Sequence, residues 1–136
     1  MKKALLILVA IFTVWTVADA QNARKVKEIG QNEFIALFDM STGMVKHPAV
    51  IDFNATWCGP CRQLAPILEE LAVEYDGRID FYSIDIDKNK ELAKMLEIES
   101  IPYVLFFTPG EEDPQESIGL ISKEEVKVFL EKMIKK

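Results

Sequence analysis

Between Ala49 and Asp85 the hydrophobic pattern changes period twice. Ala49–Asn54 (AVIDFN) is a short apolar, partly β-branched run bounded by Pro48, which reads as a buried strand. Leu64, Ile67, Leu68, Leu71, Ala72 and Tyr75 then fall on one face of a helix, with Pro66 inside it as a kink and Gly77 ending it. Residues 79–85 (IDFYSID) return to strand character. Strand, helix, strand in this order argues for a parallel sheet with helices on its faces.

The flanking segments extend the alternation. Residues 26–29 (VKEI) form a short strand, and the segment GQNEFIALFDM reads as a helix that Asn32 caps ahead of Phe34, Ile35, Leu37 and Phe38. NKELAKML places Leu92, Met95 and Leu96 on one side of a further helix. Tyr103–Thr108 is a strongly β-prone run, Thr108–Pro114 (TPGEEDP) is turn chemistry, and ESIGL is a last short strand, so these make a hairpin of antiparallel edge strands. Ser122 and Glu125 are spaced as a capping box for a helix with Val126, Phe129, Leu130, Met133 and Ile134 inward. The expected fold is α/β: a central mixed sheet, parallel core plus antiparallel terminal hairpin, with helices on both faces.

The chain has 136 residues, room for one domain with a modest core. Met1-Lys2-Lys3, the apolar run 4–17 and Ala18-Asp19-Ala20 have the layout of a secretory signal peptide, cleaved after Ala20. The run is shorter than the roughly 18 residues that suggest a spanning helix; the alternative is an uncleaved anchor. Cleavage takes the formal charge from −6 to −7, because Lys2, Lys3 and Asp19 leave. That acidity makes nucleic acid a poor partner. The expected location is periplasmic or secreted, with no stable membrane anchor after cleavage.

Thr56–Cys61 (TWCGPC) holds both cysteines of the chain. A disulfide-stapled small domain carries several bridges, and one closing so short a loop contributes about 2 kcal/mol at most. Zinc needs four ligands, or three plus water, and His47 is the one histidine, so no metal is expected. A c-type haem anchor needs His after the second cysteine, where Arg62 stands. Redox chemistry fits better. The pair lies between a buried strand and the start of a long helix, where backbone N–H groups and the helix dipole stabilise a thiolate. Cys58, at the helix start, is expected to be exposed and nucleophilic. Cys61, one turn in, is expected to be shielded and resolving. Gly59 permits a tight turn, Pro60 suits the first helical turn, and Trp57 covers the site.

The segment AVIDFNATWCGPCRQLAPILEELAVEY resembles thioredoxin closely, and the similarity extends over nearly the whole chain after residue 20. That resemblance implies a thioredoxin domain over 21–136, acting as a monomer and without a cofactor. ESIPYVLFF is similar to the family's cis-proline segment, which places Pro102, in cis, opposite the cysteines, with Ile101 and Gly119 on the substrate surface. Asp52 matches the family's buried aspartate and Pro66 its helix-kinking proline. An acid between Ile51 and Phe53 in a buried strand is costly unless used. Asp52 is therefore expected to accept the proton of Cys61, its own pKa lifted above the ordinary ~3.9 by desolvation.

Two positions depart from the family pattern: Asn54 stands where an aromatic is frequent, and Ser83 where a lysine often faces the aspartate. The implied function is a secreted thiol–disulfide oxidoreductase. It would reduce disulfides in exported proteins and be recharged by an inner-membrane thiol–disulfide carrier. Alternatives are a reductant dedicated to apocytochrome c maturation and a redox-silent peptide-binding or chaperone module on the same fold. Tyr75–Leu92 has no room for the insertion the first often carries, and the intact cysteine pair argues against the second.

Overall fold

The computed structural model describes residues 25–135; the expected signal segment 1–20 lies outside the described residues. The elements run β1 (Val26–Glu28), α1 (Gln31–Ala36), β2 (Ala49–Asn54), α2 (Gly59–Glu74), β3 (Asp80–Asp85), α3 (Lys90–Met95), β4 (Tyr103–Phe107), β5 (Gln115–Ile118) and α4 (Lys123–Ile134). The sheet order is β1-β3-β2-β4-β5. β1, β3 and β2 are parallel, whereas β4 runs antiparallel to β2 and β5 antiparallel to β4. This is the mixed sheet the alternating pattern predicts.

The terminal hairpin is not wholly at the edge, however. β4 lies inside the sheet between β2 and β5. Its sequence gives the reason: Val104 and Phe106 pack toward α2 and α4, while Leu105 packs with the opposite layer. A strand apolar on both faces must be covered on both. β2 is the same, buried from Ala49 to Phe53. Val50 joins the layer of Leu64, Leu68, Leu71, Val126 and Leu130, and Ile51 and Phe53 join Phe34, Ile84 and Leu92. Alternation along the strand places Asp52 on Val50's side, facing α2.

Two local expectations change. Gly30, not Asn32, is the N-cap of α1. The Gly30 N–H donates to Glu33 Oε2 at 3.2 Å, and the Gln31 N–H donates to Asn89 Oδ1 at 3.1 Å. Glu33 of the same helix and Asn89 from outside it thus satisfy these donors, and Asn32 stands two residues too late to serve as the cap. In α3, Leu92 is buried but Met95 is 67% exposed. This six-residue helix has a single inward stripe, Leu92 with Leu96, and Met95 falls outside it. The capping box of α4 forms as read, with Ser122 Oγ accepting from the Glu125 N–H at 3.2 Å and Glu125 Oε2 accepting from the Ser122 N–H at 2.8 Å.

Candidate active site

β2 ends at Asn54, and four residues later the chain enters α2 with Cys58 as its N-cap. The turn is closed by the Cys58 N–H donating to Ala55 O at 3.2 Å. Cys58 Sγ accepts from the Cys61 N–H at 3.2 Å, so the sulfur sits where an N-cap side chain normally does. Pro60 lies in the first turn, where its missing N–H has no helical partner to lose. Cys58 and Cys61 are joined as a disulfide, with Cα atoms 5.3 Å apart.

In this oxidised state the two cysteines do not differ in exposure, contrary to expectation. Each is 4% exposed. Ala55 packs with both, and Ile86 and Ile101 close over the pair. The helix start separates the two by electrostatic position, not by access to solvent. Gly59 also differs from expectation. Its φ is not positive, and a Cβ there would meet nothing within 4 Å, so no tight turn demands glycine. Trp57 is 64% exposed beside the pair, and its indole N–H donates to Asp87 Oδ2 at 2.9 Å.

The Ile101–Pro102 peptide is cis. Ile101 packs against the cysteine cluster, and Pro102 is buried beside it. The Gly119 N–H donates to Pro102 O at 2.8 Å, which ties the end of β5 to the start of β4. Gly119 has φ +88°, a conformation that side-chain-bearing residues rarely adopt. Cys58, Cys61, Ile101, Pro102 and Gly119 therefore belong to one connected surface.

Behind that surface lies Asp52, 3% exposed, with Ser83 of β3 and Val104 of β4 as its register neighbours. Asp52, Asn54, Cys61, Pro66 and Ser83 all line one cavity of about 750 Å³. Asn54 Nδ2 donates to Asp52 Oδ2 at 3.0 Å, while Oδ1 is buried and has no hydrogen-bond partner among the described residues. Burial pushes the Asp52 carboxyl up to about 6, and the Asn54 hydrogen bond opposes that shift. A carboxylate titrating there can exchange a proton near neutrality.

In sequence Asn54 stands out only as a departure from the family pattern. Its spacing of two from Asp52 on one strand, hence the same face, was the available signal. Asp87, which holds Trp57, came with no local signal. His47 is paired with Asp80 at 2.9 Å. Among the described residues no cluster of three or more His, Cys, Asp or Glu is placed to hold a metal, and no helix is long and apolar enough to cross a membrane.

A profile of the family described as Thioredoxin matches residues 25–132. The chain is 42% identical over 77 residues to the thioredoxin of Borreliella burgdorferi, an alignment covering 57% of this chain and 65% of that one. It is 43% identical over 83 residues to the thioredoxin of Staphylococcus haemolyticus, covering 61% and 79%. Among solved structures it is similar to chloroplastic thioredoxin z, with a TM-score of 0.69 and 30% identity over 80% of this chain and 94% of that chain.

Proposed function

The chain belongs to the thioredoxin family, and from that premise we propose that it is an exported protein-disulfide reductase. The observation that carries this reading is the Cys58–Cys61 pair, set at the N-terminus of α2 and packed against Ile101, next to Pro102.

In the reduced protein the Cys58 thiolate is favoured by the Cys61 N–H and by the helix start. It attacks one sulfur of a substrate disulfide. A Cys58–substrate bond forms, the substrate S–S bond breaks, and the first substrate sulfur leaves as thiolate to be protonated by solvent. Cys61 then attacks Cys58 Sγ and expels the second substrate thiolate. The substrate gains two electrons, and the enzyme is left as the Cys58–Cys61 disulfide. Cys61 must lose its proton before that step, because only the thiolate attacks. Asp52, on the same cavity, takes the proton. Ile101, Pro102 and Gly119 present the peptide-binding edge, where an extended substrate can add as a strand.

Export is supported by the Met1–Ala20 layout. In that setting the substrates are disulfide-containing exported proteins, and the electrons come from a membrane thiol–disulfide carrier. The purified protein should catalyse dithiothreitol-driven reduction of insulin disulfides; a rate equal to the uncatalysed background would overturn the reductase reading. Intact mass from the cell-envelope fraction should correspond to a chain beginning at Gln21. A mass that retains residues 1–20 would instead mean an N-terminal anchor.

A further inference from the structure

We propose that Asn54 is a positioning residue for the proton step. It holds Asp52 by Oδ2 and leaves Oδ1, buried beside the cavity that Asp52 and Cys61 both line, as the proton-exchanging oxygen. The inference rests on the reading of Asp52 as the base for Cys61.

The surroundings of Asp52 single out this contact. From β1 the cavity is lined by Val26, Lys27 and Glu28, from β3 by Ser83, and from α2 by Cys61, Arg62 and Glu69 among its charged or titratable groups. β4 places Val104 opposite Asp52. Arg62 Nη1 donates to Thr56 O at 3.2 Å. Glu28 pairs with Lys88 at 2.8 Å, and Glu69 Oε2 accepts the Lys25 N–H at 3.0 Å. Among the described residues, the carboxylate of Asp52 receives its hydrogen bond from Asn54 alone.

That bond has two consequences. It fixes the carboxylate about its terminal torsion, which is otherwise broad and roughly two-fold. It also favours the ionised form, because a donor to a carboxylate stabilises its charge. The Asn54 amide reaches the Asp52 carbonyl as well, at 3.3 Å, so both groups are braced on one strand. Without the amide, Asp52 would keep its burial and lose its counterweight. A larger share would then stay protonated at neutral pH, unable to accept the proton of Cys61.

The test uses the full chain in its reduced form. Asp52 is titrated by carboxyl-carbon NMR, and the release of a Cys58 mixed disulfide is followed across pH. Asn54→Leu should raise the Asp52 midpoint by about one pH unit. It should slow release at pH 6.5 by about threefold, with the loss recovered at higher pH. Asn54→Ala removes the same donor without added bulk and should do likewise, so a folding defect in one variant does not close the question. In an Asp52→Asn background, Asn54→Leu should change nothing further. A midpoint and pH profile that match wild type in both variants would overturn the role of Asn54. So would equal slowing in the Asp52→Asn background, since the effect would then be packing. If Asp52→Asn itself released substrate at wild-type rates, the base reading would fall and this inference with it.

Discussion

The front and the back of the site are built in opposite ways. At the front, Cys58, Cys61, Ile101 and Pro102 are fixed by backbone: a helix start, a tight turn and the Gly119–Pro102 hydrogen bond. At the back, Asp52, Asn54 and Ser83 line a cavity of about 750 Å³, with a single side-chain hydrogen bond to the carboxylate among the described residues. On the proposed mechanism the front specifies which bonds exchange, and the back sets when the resolving thiol can ionise. Substitutions at the front should therefore remove the reaction, and those at the back should move its pH dependence.

The largest effect is expected at the sulfurs. Cys58→Ser should reduce insulin reduction to background and trap no substrate. Cys61→Ser should accumulate mixed disulfides on Cys58, because the resolving thiol is gone. Equal trapping by the two variants, read by non-reducing electrophoresis and mass spectrometry, would contradict the assignment of roles along the helix.

Next in size is Asp52→Asn. The release step should slow about tenfold to a hundredfold between pH 6 and the ordinary thiol range near ~8.5, below which Cys61 needs a base. Stopped-flow fluorescence of Trp57, the one tryptophan after residue 20, should report that step. Stability should move the other way. The Asp52 carboxyl is raised to about 6 in the fold, against ~3.9 unfolded. Between those values the folded chain keeps a proton that the unfolded chain has lost, so stability declines as pH rises through the window. The whole penalty, about 3 kcal/mol at most, stands above pH 6. Asp52→Asn should thus raise the melting temperature at pH 8 and leave it unchanged at pH 3; a uniform change at both would contradict burial as the cause.

A smaller shift should follow Ser83→Lys. Ser83 is the register neighbour of Asp52 and lines the same cavity. An ammonium there should lower the Asp52 midpoint by about one to two pH units and move the release profile with it. An unmoved midpoint would mean that the added charge stays in solvent. The smallest effect belongs far from both regions. Ser122→Ala removes the α4 cap and should cost about 1 kcal/mol in denaturant melts, with insulin reduction unchanged.

The sequence located the front but misjudged the exposure of Cys58 and the need for Gly59, and at the back it marked Asp52 without its partner. The period changes around Ala49–Asp85 marked the strand and helix that carry the cysteines, and the Ser122–Glu125 spacing located α4. Those are local signals. The Gly30 cap was missed because Asn89, 58 residues from Gln31 in the chain, accepts the Gln31 N–H that a capping side chain would otherwise serve. The two apolar faces of β4 call for cover on both sides, but the run itself does not name β2 and β5 as its neighbours. Asp52 was conspicuous as an acid in an apolar strand. The contact from Asn54 needed the side chains in place, because strand alternation gives the shared face and not the hydrogen bond.

One measurement bears most directly on the claim that this chain is a reductant: the equilibrium potential of the Cys58–Cys61 pair against a dithiothreitol or glutathione buffer. A reductant should have a potential of about −270 mV, as thioredoxin itself does. A potential near the roughly −120 mV of a strong disulfide donor would contradict it, and would make the chain an oxidant of exported thiols.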